Sequence, residues 1–294
     1  MIAQCAITAL HPARLASSFQ GTLVIALSGG RTIAQVAECT VNWVVHKPLA
    51  NPDLLPFNRG ALMYVGRHPQ RMTGTVAAYF DLDGTLLDAS SEKTLTIELG
   101  KRRPWRIPIG AVSWSLGLVG NLLRGRAFYD AARNRGHFSF ASWSVLEAYS
   151  SRLAKEKLAL HVSSEAKEKL AWHRSQGHRL VLVTATIAPM AEAMADVLGM
   201  DAVYGCGPEH RTGMLSGSER TWSVPRRKGK VPVVEADAAE NGHALSECYG
   251  YGNTHADSWF MRITGNPVAI NPEGPLRRLA EEQGWPMHLS LIHI

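Results

Sequence analysis

The 294-residue sequence predicts an α/β fold, a parallel sheet covered by helices on both faces with a helical cap inserted after the first strand. Three observations carry that reading. Short apolar runs alternate with longer stretches of helical character. Glycine or proline punctuates the boundaries between them. Residues 91–176, between the first two apolar runs, are too many for a simple crossover.

Taken in order, VAAYF (76–80) is an apolar run bounded by turn signals and predicts a buried strand. Residues 91–176 are mostly helical in character. Within them, SSEAKEKLAWHRSQG (163–177) has a serine N-cap, an early Glu165, Ala166 and Leu170 on one face, and Gly177 as its stop. LVLV (180–183), entered through Arg179, predicts the second strand. After TAT comes APMAEAMADVLG, a helix with Pro189 in its first turn and Gly199 past its end. AVYG (202–205), ECYGYG (247–252) and PVAI (267–270) supply further strands. On this reading, 72–90 and 177–288 form the core and 91–176 the cap.

The two ends read differently. Residues 1–71 hold only Glu38 and Asp53 as acids and show no sustained period, whereas Met72 opens MTGTVAAYFDLDGT like the start of a domain. The expectation is a loosely structured extension or read-through upstream of a misassigned start, with a small genuine appendage as the alternative. LSLIHI (289–294) reads as a non-native tail of translated adapter sequence.

Composition is that of a globular protein, 46% hydrophobic and 19% charged. Cys5, Cys39, Cys206 and Cys248 are scattered with no CxxC pair, which argues against a zinc site or disulfide framework and for a reducing, cytoplasmic setting. The N-terminus lacks the build of a secretory signal.

Net charge is +6 and unevenly placed. Residues 101–135 carry eight basic residues against Asp130, and 232–286 carry eight acids against three arginines. One basic face suits an anionic substrate or surface. Basic blocks do not alternate with aromatics, so nucleic acid is not expected. The uncharged stretch 107–123, bracketed by KRRPWR and RGR, contains a proline and three glycines and is slightly short for a membrane span. Cap core with solvated flanks is the favoured reading of 101–126. A basic entrance that steers substrate is a second, and peripheral contact with anionic lipid through Trp105 and Trp114 is a third.

In an open parallel sheet, active groups gather at the carboxyl ends of strands. The first run ends in Asp81 and Asp83, followed by Gly84 and Thr85. Two carboxylates one residue apart both face a site if the chain turns out of its strand after the first. The second run delivers Thr184, and the fourth delivers Gly252, Asn253 and Asp257. RRKGK (226–230) precedes that strand. The bland alternatives are an Asx-turn for the aspartates, a β-branched strand residue for Thr184, and a solvated cluster for Lys228 and Lys230. His161, His173, His178 and His255 show no partner pattern.

DLDGT, VTAT, RKGK and GNTHAD, in that order, resemble the haloacid dehalogenase superfamily, and within it the phosphoserine-phosphatase-like subfamily IB, over residues 72–288. The resemblance implies a Rossmann-like core with a helical cap, and Mg²⁺-dependent hydrolysis of a phosphate monoester through an aspartyl phosphate. Asp81 is then the nucleophile, and Asp83 the general acid and later the general base. Gly84 permits the sharp turn, Thr85 buttresses it, and Thr184 offers its hydroxyl to the phosphoryl group beside Ala185. Lys230, with Lys228 second, neutralises charge. Mg²⁺ would be held by Asp81, the Asp83 carbonyl, Asn253 and Asp257.

Two departures follow from the same resemblance. Asn253 stands where the family has an aspartate, which weakens metal binding. Ser90 stands where phosphoserine phosphatases place a glutamate, which points away from phosphoserine. The expected partner is a small phosphorylated substrate, a lipid phosphomonoester being one form of it. A reading of another class is a catalytically weakened binding protein for anionic ligands or membrane surfaces.

Overall fold

The computed structural model describes residues 75–219 and 222–289, so the expectation for 1–71, and that for 289–294 beyond Leu289, fall outside the described residues. The elements are β1 (Ala77–Phe80), α1 (Ser91–Arg102), α2 (Arg106–Leu122), α3 (Phe128–Ala132), α4 (Trp143–Glu156), α5 (Ser164–Ser175) and β2 (Arg179–Ile187). There follow α6 (Ala188–Leu198), β3 (Ala202–Cys206), α7 (Lys230–Asn241), β4 (Tyr249–Gly252), α8 (Ser258–Met261), β5 (Asn266–Ile270), α9 (Gly274–Gln283) and β6 (Met287–His288). The strands form one sheet in the order β3-β2-β1-β4-β5-β6, every pair parallel. The α/β expectation therefore holds. β1 is central, with β2 on one side and β4 on the other, so the topological switch point falls at its carboxyl end.

Alternation along β1 places its residues on opposite faces. Ala78 and Phe80 join a cluster with Leu182, Met190 and Met194, while Ala77 and Tyr79 join Val181, Val183, Val234 and Phe260. Full burial of a side chain such as Phe80 or Met194 contributes about 1.5–3 kcal/mol. The first cluster runs on into Leu95 and Leu99 of α1 and Leu146 and Leu153 of α4. On this side, α5 is capped by Ser163, whose Oγ accepts from Ala166 N at 3.1 Å. Its His173 is fully buried, with Nε2 2.8 Å from Tyr251 Oη and Nδ1 2.8 Å from His178 Nδ1. On the opposite side, the buried Asp237 of α7 accepts from Tyr79 Oη at 3.1 Å, Tyr204 Oη at 2.8 Å and Arg179 Nη2 at 3.0 Å. That single carboxylate ties α7 to β1, β2 and β3.

Three features differ from the sequence reading. β2 does not stop at Val183 but continues to Ile187, with its register against β3 shifting between those residues. Ile187 pairs again with Cys206 after the irregularity, which keeps TAT extended. β6 was not anticipated, being only two residues long.

The third difference is α2. It is not cap core: Val112, Leu116, Val119 and Leu123 at its end are 60%, 69%, 53% and 83% exposed. Its inward side meets the neighbouring chain through glycines and polar contacts, which is the physical reason. Gly110 packs on the His137 backbone, Gly117 on Asn134, and Trp114 Nε1 donates to Ala132 O at 2.9 Å. Arg106, buried at its start, donates through Nη1 to Phe140 O at 2.8 Å and through Nη2 to the carbonyls of Phe138 and Ser139. Neither α2 nor α3 contributes a residue to either apolar cluster.

Candidate active site

β1 ends where Asp81 N donates to Tyr251 O at 3.0 Å, the last bond of its pairing with β4. The chain then wraps around one carbonyl: Thr85, Leu86 and Leu87 all donate their N–H to Leu82 O. Gly84 makes that turn with φ +81°, and a Cβ there would come within 2.1 Å of Asn253 Nδ2. The turn thus points Leu82 into the core and brings Asp81 and Asp83 to the wall of a cleft of about 370 Å³.

Lys230, the first residue of α7, enters this cleft and is buried. Its Nζ donates to Asp81 Oδ1 at 2.6 Å and to Asp257 Oδ1 at 2.7 Å. Asp257 is held in turn by Thr254, whose N and Oγ1 donate to Oδ2 at 3.1 and 2.6 Å. Burial and the Asp257 charge push the Asp81 carboxyl above its usual range, against the pull of Lys230. Burial opposes the Lys230 charge, but its two carboxylate partners outweigh it and hold the ammonium charged. Burial raises Asp83 to about 6, while hydrogen bonds from Ser91 and Thr186 act the other way. Ser91 N donates to Asp83 Oδ1 at 3.0 Å, and the Ser91 and Thr186 hydroxyls lie 3.1 Å apart.

Of the residues singled out in the sequence, Asp81, Asp83, Ser90, Thr184, Ala185, Lys230 and Asp257 line the cleft, and so does Trp114, which the lipid-contact reading sets on the surface. Thr184 is buried, and its Oγ1 accepts from Thr186 N at 3.2 Å. Thr85 stands behind the loop, its Oγ1 donating to Asn253 Oδ1 at 3.4 Å, and Asn253 and Gly84 lie with it. The two lysines separate: Lys228 is exposed, with its ammonium 4.4 Å from the centroid of the Trp259 ring, and does not line the cleft.

The sequence reading missed a second ionic group on the same wall. Glu92 accepts from Arg135 Nε at 3.1 Å and Nη2 at 2.8 Å, and from Ile187 N at 3.1 Å. Arg135 also pairs with Glu219 and donates to Ala185 O at 2.5 Å. Burial works against the Glu92 charge, yet the Arg135 guanidinium holds its carboxyl below the usual range. His137, Arg226 and Arg227 complete the rim. Glu92 stands two residues beyond Ser90, but its partner is 43 residues away, and no local pattern links them.

The arrangement offers one carboxylate held against an ammonium, a second that is raised in pKa, and a hydroxyl from the neighbouring strand. A family model of the haloacid dehalogenase-like hydrolases matches residues 78–262, and the chain belongs to that family. It is similar to phosphoserine phosphatase SerB1 of Mycobacterium tuberculosis, with 28% identity over 216 residues, 72% of this chain and 70% of the relative. The inhibition of morphological differentiation protein of Streptomyces azureus is 28% identical over 225 residues, 72% of this chain and 77% of its own. Among solved structures, a protein of unknown function from Bordetella pertussis Tohama I matches with a TM-score of 0.60 at 27% identity, covering 72% of this chain and 96% of that one.

Proposed function

We propose that the protein is a phosphatase that hydrolyses a small phosphate monoester by way of Asp81, with Mg²⁺ as its metal. One observation carries the reading: the buried Lys230 ammonium bridges Asp81 and Asp257 at the cleft wall that Asp83 and Thr184 share. The phosphatase names of several relatives, SerB1 among them, support the same reaction class.

The donors around Asp81 fit a hard cation in type. The Asp81 carboxylate, the Asp83 carbonyl and the Asn253 amide are all oxygen ligands, and the contact between Gly84 and Asn253 brings the two loops together. Only one of the three is charged, and among the described residues no group of three His, Cys, Asp or Glu is arranged to hold a metal. Mg²⁺ on these ligands would draw charge from the phosphoryl oxygens. Asp257, with both oxygens engaged, serves in this reading as the anchor of Lys230.

An Asp81 oxygen attacks phosphorus, and the bond to the leaving oxygen breaks as Asp83 gives that oxygen its proton. Water then attacks phosphorus while Asp83 takes a proton from it. The bond to Asp81 breaks, and inorganic phosphate leaves. An Asp83 carboxyl raised to about 6 suits both turns of this exchange near neutral pH. Lys230 and the Thr184 hydroxyl face the charge that builds on the transferring group. The helical segment 91–176 would act as the cap that selects the leaving group.

Phosphate release from an aryl phosphate, with Mg²⁺ and with chelator, tests the proposal. Asp81→Asn is expected to lower turnover roughly 10⁴-fold or more. Lys230→Ala should cost roughly 10²–10³-fold, and Lys228→Ala should change little. Release that ignores both chelator and Asp81→Asn would overturn the mechanism. A folded parent that releases nothing at any Mg²⁺ concentration would favour an anion-binding role instead.

A further inference from the structure

We propose that α2 docks the protein on an anionic lipid surface, lying flat in the interface. The inference is independent of the reaction assigned to the cleft. Residues 107–123 carry no charge, and the face turned to solvent is the apolar one: Val112, Leu116, Val119 and Leu123 are all more than half exposed. A helix at the surface of a water-soluble domain normally has the opposite polarity. Here Gly110, Gly117 and Asn121 are on the inward side. A contiguous exposed apolar face of this kind marks an interaction surface.

Charge identifies the occupant. No acid occurs from residue 99 to 129, while six basic residues do. Arg106 is used internally and Arg102 pairs with Glu98. Lys101 and Arg103 at one end, and Arg124 and Arg126 at the other, pair with no acid among the described residues. An apolar strip with cations at both ends complements a bilayer, whose acyl region is apolar and whose headgroups are negative. A second copy fits poorly. Any twofold contact along α2 in antiparallel register would set the basic start of one helix against the basic end of the other. Trp105, 57% exposed, and Phe128, 67% exposed, flank the strip where interfacial aromatics sit. At 17 residues the helix is about 25 Å long. Among the described residues, no helix is long and apolar enough to cross a membrane, so this one lies on the surface.

Co-sedimentation of the full chain with vesicles of phosphatidylcholine, alone and mixed equally with phosphatidylglycerol, tests the proposal. Binding is expected to the mixed vesicles only and should weaken with salt. Val112→Glu with Val119→Glu should reduce partitioning more than tenfold. Arg124→Gln with Arg126→Gln should reduce it by roughly fivefold per charge removed. Circular dichroism should show both variants folded, and aryl phosphate turnover by the glutamate variant should stay within twofold of the parent. The proposal is overturned by failure of the full chain to bind mixed vesicles, or by equal binding to neutral ones. It is equally overturned by undiminished binding of the glutamate variant, or by a dimer in sedimentation velocity that this variant dissolves.

Discussion

Helices α6 and α2 are both rich in apolar residues, yet α6 buries eight of its eleven residues while α2 buries two of seventeen. The difference lies in what each has to pack against. α6 follows directly from β2, so its Met190 and Met194 fall between the sheet and α4, where apolar neighbours surround them. α2 meets α3 and the turn at 136–138, which offer backbone and Asn134 in place of aliphatic side chains. It is fixed by close approach, by the Arg106 guanidinium and by hydrogen bonds at Trp114 and Asn121. The comparison teaches that apolar content alone does not say which way a helix faces. The size and polarity of the opposing residues decide it.

The largest effect expected from this contrast comes from adding charge. Met194→Glu puts an unpaired carboxylate in a closed core and should lower stability by about 4 kcal/mol or more, whereas Leu116→Glu on α2 should stay within about 0.5 kcal/mol. Urea denaturation followed by circular dichroism measures both, and equal losses would break the comparison.

Gly136→Ala probes how α2 is held. A Cβ at 136 would lie 2.5 Å from Trp114 N and 2.6 Å from Ser113 O, both backbone, so the helix must move away. A loss of about 1–3 kcal/mol is expected, with faster amide exchange confined to α2 and α3. Uniformly faster exchange would mean that α2 is not an independently attached element.

The smallest effect sharpens the contrast through pH. Burial lowers His173 to about 3, with the neighbouring His178 and Lys169 acting in the same direction. The unfolded chain takes up this proton below about pH 6.5 and the native state does not, so stability is lost as pH falls from there towards 3. The expected loss at pH 5 is about 1–2 kcal/mol, and His173→Asn should remove most of that slope. Residues 107–123 contain no titratable side chain, so the exposed helix adds nothing to it.

Much of the sheet was legible because it rests on local signals. β1, β3 and β5 are short apolar runs, and α6 has proline near its start and a left-handed Gly199 at its end. The strand ends also named the carboxylates and the hydroxyl of the cleft, since Asp81 and Asp83 follow β1, Thr184 lies in β2 and Asp257 stands in the loop after β4. What was not legible depends on pairing over distance. The continuation of β2 requires Ile187 to find Cys206, and the Glu92–Arg135 pair closes across the helical segment. The choice between Lys228 and Lys230 is set by the tight turn Arg227–Gly229, which turns the first outward and the second inward. Residues 107–123 read as an uncharged helix, but their outward face depends on partners that the stretch itself does not contain.

Asp237 and Lys230 lie seven residues apart on α7, about 10 Å along its axis. Each is fastened to the sheet by ionic and hydrogen-bonded contacts, one to Tyr79, Tyr204 and Arg179 and the other to Asp81 and Asp257. In mechanical terms α7 is a beam pinned at two points, and such a beam can neither slide nor roll. The position of the Lys230 ammonium is therefore gauged by the spacing of β1, β2 and β3, and a chemical tolerance of tenths of an ångström is inherited from the rigidity of the sheet.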